Sequence, residues 1–142
     1  MKTLKLIVLF LIPFSCLVTN AAEDEPQKEK EHTIDIWLGK QLETHYSTAG
    51  MLNALYEGQE MWDKELNLVY ARLMKQLPKT KQTILKNSQR AWITFRDANS
   101  KLINATIADQ QGSMYRVEAA DAHYRAVKSR VLQLLEYERS LP

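Results

Sequence analysis

A chain of 142 residues with 45% hydrophobic and 25% charged side chains has enough material for one domain with a packed core. Four Gly and four Pro disfavour a turn-rich β fold, while the abundance of Ala, Leu, Lys, Gln, Glu and Met favours helices. Of the 19 basic groups, Lys2 and Lys5 lie in the first 21 residues, so the rest of the chain carries 17 basic against 17 acidic groups and lacks the basic excess of a nucleic-acid binder.

The first segment is a targeting signal by pattern. MKTLK supplies the positive start, LIVLFLIPFSCLV an apolar run broken by Pro13, and Thr19-Asn20-Ala21 the small residues of a cleavage site after Ala21. The run is too short for a membrane span, and no stable membrane insertion is expected after cleavage. The expected compartment is periplasmic or secreted. Cys16 offers a competing lipid-anchored form, but Pro13 and Phe14 fit a lipidation box poorly. Cys16 is the chain's only cysteine, so a processed protein has no disulfide and must be held by helix packing.

Residues 22–32, AEDEPQKEKEH, hold five acids, two lysines and no large apolar residue, the composition of a disordered polar spacer. A single helical domain is expected over residues 33–142. Thr33 can cap a short helix with Ile34, Trp37, Leu38 and Leu42 at helical spacing, ending near Tyr46. Ser47-Thr48 is the next cap candidate. From about Ala49 to Leu77, Met51, Leu55, Trp62, Leu66, Val69, Leu73 and Leu77 mark one apolar side, with a bend plausible near Gly58. Pro78 ends this helix, because the residue before a proline is pushed out of the α region.

A third helix starts at Lys79 or Thr80 and runs to about Ala108. Its expected buried side is Ile84, Leu85, Ala91, Trp92, Phe95, Ala98, Leu102 and Ala105. After the loop Asp109–Ser113, a helix from about Met114 to Glu138 carries Val117, Ala120, Tyr124, Val127, Val131 and Leu134. The fold class is therefore all-α: a bundle of three long helices and a short leading one.

The stretch SQRAWITFRD, Ser88 to Asp97, is the most chemically loaded. A tight turn at Pro78 makes its helix antiparallel to the preceding one, so residues equidistant from the turn should face each other. Asp63, Asn67 and Tyr70 share one face; Gln89, Trp92 and Arg96 share another. The expected result is an interhelix polar network, Asp63 with Arg96 and Asn67 with Gln89, under the rings of Trp62 and Trp92. Arg90 and Asp97 should look outward or toward the last helix, with Arg130 or Glu118 as neighbours. No catalytic centre, cofactor or metal is expected. Asp63 and Glu65, two apart on a helix, point to different faces. His32, His45 and His123 have no partner at i+4, and no serine sits in a recognisable elbow. Asn104-Ala105-Thr106 matches a glycosylation acceptor by pattern, inside a helix.

MWDKELNLVYARLMKQLP followed by SQRAWITFRDA resembles the signature of the LprI-type lysozyme-inhibitor-like family, an exported bacterial domain. Asp63, Leu66, Asn67, Tyr70, Leu73, Gln89, Arg90, Trp92, Arg96 and Asp97 occupy the family's motif places, and STAGM and VKSRVLQLLEY also resemble it. The similarity spans about Ile34 to Tyr137. Many members carry cysteines near the positions of Ala54 and Ser100; this chain has neither. The resemblance implies a non-enzymatic envelope protein that blocks lysozyme or a related muramidase by occupying its cleft. The alternative is an interaction or structural module for another envelope protein. An acidic face would steer an inhibitor toward a basic lysozyme, and here only residues 23–31 are conspicuously acidic.

Overall fold

A computed structural model describes residues 31–142; the expected signal segment and nearly all of the expected polar spacer lie outside them. Four α-helices follow in order: α1 Thr33–Thr44, α2 Thr48–Gln76, α3 Lys79–Ile103 and α4 Ser113–Arg139, with a single π-helical turn, Asn104–Ala108, continuing α3. No strand occurs among the described residues. This is the expected all-α bundle.

Local chemistry sets the breaks. The α1 cap is His32 rather than Thr33: its Nδ1 accepts from the Ile34 N–H at 3.3 Å, and its ring lies on Trp62 with centroids 4.3 Å apart. Ser47 caps α2, its Oγ accepting from the Gly50 N–H at 3.0 Å. Leu77, ahead of Pro78, is extended (ψ 143°), and the helix stops there. Gly112, with φ +120°, makes the reversal into α4, a backbone conformation that side chains with a Cβ rarely adopt.

The core is the seam between α2 and α4, which run against each other for most of their length. Leu55, Trp62, Leu66, Val69 and Leu73 from α2 meet Tyr124, Val127, Val131 and Leu134 from α4, all buried. Ion pairs and hydrogen bonds add to this packing without a covalent link among the described residues. Arg72 on α2 grips both carboxylate oxygens of Glu138 on α4 at 2.9 and 3.0 Å, with Gln76 adding a third donor. Near the middle of α4, Tyr124 Oη donates to Asp35 Oδ1 at 2.7 Å, and Lys128 Nζ reaches the same oxygen at 2.9 Å, tying α1 to α4.

Gly58 does not break α2, which is one continuous helix. It is a buried notch instead. A Cβ there would lie 2.9 Å from the Tyr124 ring and 3.5 Å from Trp37, so the absent side chain lets α1 and α4 close onto α2.

The third helix departs most from expectation. α3 touches α2 and α4 only sparsely, and Leu85 and Ile103 are its only fully buried residues. Ile84, Ala91, Phe95, Ala98 and Leu102, expected in the core, are exposed; Ala105 in the π turn is exposed too. The reason is competition. α4 has taken the apolar stripe of α2, which leaves α3 to lie along the edge of that pair.

Candidate functional site

The polar network exists, but it joins α3 to α4 rather than α2 to α3. Register across a turn predicts contacts only when the two helices pack side by side, and α2 packs on α4. Arg96 does not bridge to Asp63. Its Nε and Nη2 both donate to Asp97 Oδ1, at 3.0 and 2.8 Å. Asp63 is half-buried, and burial pushes its carboxyl above the usual range; the charge of Arg96 is close enough to pull part of that shift back. Asn67 donates along its own helix to the Asp63 carbonyl at 2.9 Å, not to Gln89. Tyr70 is half-buried at the edge of the core. Arg90 is exposed and outward-facing, and only its carbonyl is engaged, accepting from Thr94 Oγ1.

Gln89 finds its partner on α4. Arg130 Nε donates to Gln89 Oε1 at 3.0 Å, its Nη2 to Ser88 Oγ at 3.1 Å, and its Nη1 to Gln133 Oε1. Trp92 completes the cluster, with the guanidinium carbons of Arg96 and Arg130 at 5.4 and 5.9 Å from its ring, both in cation–π range. Arg130 is 5% exposed, and no carboxylate among the described residues pairs with it. Burial draws its pKa down, while three neutral oxygens and an indole face take the place of water around the charge. Beside this cluster runs an open groove of about 890 Å³ between α3 and α4, lined by Trp92, Phe95, Arg96, Arg125 and Arg130 among others.

A second contact holds the far end of α3. His123 on α4 lies between Ser100 Oγ, 3.4 Å from Nδ1, and Asn104 Oδ1, 3.2 Å from Nε2. Nε2–H therefore donates to the amide oxygen, and Nδ1 accepts from the hydroxyl. Burial lowers the His123 pKa from its ordinary value, which favours this neutral form.

Reading the sequence alone offers Arg130 only as one alternative neighbour of Arg90 and Asp97, whereas its partners are Ser88, Gln89 and Gln133. It misses the Asp35–Tyr124–Lys128 link and the Ser100–His123–Asn104 contact altogether. The available signal for Arg130 was its place among apolar residues of α4, between Val127, Val131 and Leu134. Chemically the arrangement orients helices and presents guanidinium groups and an aromatic ring to a groove. No group of three or more His, Cys, Asp or Glu side chains is placed to hold a metal among the described residues.

This all-α bundle with its α3–α4 motif cluster has a family. The model of the family described as lysozyme inhibitor LprI matches residues 40–134, and the chain belongs to that family. A crystal structure of an uncharacterised protein from Burkholderia thailandensis has a similar fold, with a TM-score of 0.68 and 30% sequence identity over 73% of this chain and 52% of that one. The chain thus spans about half the length of that protein. No curated protein is similar enough to the chain to count as a match. The family is named for inhibiting an enzyme and not for a reaction of its own.

Proposed function

We propose that the protein is an exported, non-enzymatic binding protein of the bacterial envelope that inhibits lysozyme or a related muramidase. The observation that carries this reading is the family match over residues 40–134. The targeting pattern of the first 21 residues supports export, and no described helix is long and apolar enough to cross a membrane.

Charge distribution narrows where such a target would bind. A strongly basic lysozyme is repelled by α3, which carries Lys79, Lys81, Lys86, Arg90, Arg96 and Lys101 against Asp97 alone. It is attracted to the acid-rich stretch of α2, with Glu57, Glu60, Asp63 and Glu65, and to the acidic residues 23–31. The test is a turbidity assay of lysozyme on a cell-wall suspension with the exported protein added. Clearing should slow as the protein approaches and exceeds equimolar amounts, and less so after Glu57→Lys with Glu60→Lys. Unchanged clearing at large molar excess refutes the proposal. A single stoichiometric partner other than lysozyme, recovered from periplasm on the same protein, would instead establish the interaction-module reading.

A further inference from the structure

We propose that α3 is a membrane-surface helix that adsorbs to anionic lipid. The first observation is geometric. At 100° per residue, Ile84, Ala91, Phe95, Ala98 and Leu102 fall within about 40° of one line along the helix. All five are exposed, with Ile84 at 68%, Phe95 at 62% and Leu102 at 59%. From Ile84 to Leu102 the stripe is about 27 Å long. Three large apolar side chains, with Ala91 and Ala98 between them and Ser88 at the margin, make an apolar stripe along that length rather than a scatter of unrelated exposed residues.

The second observation is electrostatic and independent of the first. Of the six cations on α3, only Arg96 makes an ion pair, with its neighbour Asp97. Lys79, Lys81, Lys86, Arg90 and Lys101 pair with no carboxylate among the described residues. Elsewhere in residues 31–142, nine cations stand against twelve carboxylates. The near-neutral total therefore hides a segregation, with the positive excess collected on the one helix that also exposes an apolar stripe.

That combination suits an interface between water and anionic lipid. Phe, Leu and Ile sink to the boundary between headgroups and acyl chains, and lysine and arginine stems lie along the surface with their charges at the phosphates. The buried side of α3, with Leu85 and Ile103, stays on the bundle. Lys81 lies about 60° from the stripe on the side of the bundle, and Arg90 and Lys101 lie about 100–120° round on the solvent side, within reach of the headgroups through their long stems. A protein partner would need carboxylates placed to match five cations spread along about six helical turns. Fluid lipid brings phosphates to wherever the cations are. No described helix is long and apolar enough to span a bilayer, so the contact proposed for α3 is adsorption along the surface.

The test is sedimentation of the protein, purified after export, with vesicles of phosphatidylglycerol and phosphatidylcholine in a roughly 3:7 ratio, against vesicles of phosphatidylcholine alone. Binding to the anionic vesicles only is expected, falling at least about tenfold between about 0.05 and 0.5 M salt. The triple variant Ile84→Ser, Phe95→Ser, Leu102→Ser changes exposed positions and should keep its helical circular dichroism. It should lose at least about tenfold in partitioning. Tyr56→Ser with Leu68→Ser removes equally exposed apolar groups from α2 and should bind as the parent does. Absence of binding, equal binding to neutral vesicles, or full binding by the triple variant each overturns the proposal. The last of these would show a polyanion contact that uses the cations alone. The inference does not rest on lysozyme inhibition: Ile84→Ser with Leu102→Ser leaves the groove-lining Phe95 in place, and if it still slows clearing while sedimenting less the two are separated.

Discussion

Arg130→Ala withdraws one donor group from three side chains at once. Gln89, Ser88 and Gln133 lose their shared partner, and Trp92 loses one of its two guanidinium neighbours. No buried carboxylate is orphaned, so the loss is that of hydrogen bonds and packing, about 1–3 kcal/mol in urea denaturation. A loss of about 4 kcal/mol or more would point to a counter-charge that the described residues do not contain. This residue also marks the limit of reading side chains from sequence. The motif residues Gln89, Trp92 and Arg96 do converge, as their helical spacing implies. Their partner lies 34 or more positions further on, where no local periodicity singles it out. Asp63 and Arg96 were paired by counting from the Pro78 turn, and the count assumes a packed hairpin that α2 and α3 do not form.

The helices themselves were legible. Ser47 as a cap, Leu77–Pro78 as a break and Asp109–Ser113 as a loop are local signals, and the observed α2 and α4 boundaries lie within a residue of those expected. The faces of α2 and α4 were legible for the same reason: a stripe that includes Trp62, Leu66, Val69 and Leu73 has no exposed alternative. The face of α3 was not. Periodicity identifies an apolar stripe but not what covers it, and Ile84, Phe95 and Leu102 make the same pattern in water as in a core. Gly58 was misread in a related way, as a weakness in α2, because its neighbours in space come from α1 and α4. Here the structure reverses the ordinary sign of a substitution. Gly→Ala inside a helix gains about 1 kcal/mol from propensity. At position 58 the new methyl meets the buried Tyr124 ring, which Asp35 holds in place. Gly58→Ala should therefore lose about 1–3 kcal/mol net, read as a lower urea midpoint. The same change at Gly39, where nothing lies within 4 Å, should be neutral or stabilising.

At the scale of the whole molecule, stability depends on pH through groups of opposite sign. The His123 pKa is lowered by burial, so its contribution is complete above the unfolded value of 6.5 and is lost as pH falls through the folded value. Glu138 is lowered by the hydrogen bonds from Arg72; its contribution is complete above 4.5 and is lost further down. Asp63 is raised by burial, so protonation favours its folded form and offsets part of the acid loss. Between about pH 7 and 5 the slope should belong mainly to His123. His123→Gln, which keeps a donor and an acceptor for Asn104 and Ser100, should flatten urea midpoints across that window. Parallel profiles for the two proteins would assign the slope to another group.

The seam of α2 and α4 is closed by packed aliphatic and aromatic side chains, by Arg72 on Glu138 and by Tyr124 and Lys128 on Asp35, and residues 31–142 contain no sulfhydryl. Assembly of the bundle therefore involves no thiol–disulfide chemistry. It needs no thiol-exchange catalyst to reach the native pairing, and a change in ambient redox poise neither loosens nor locks it.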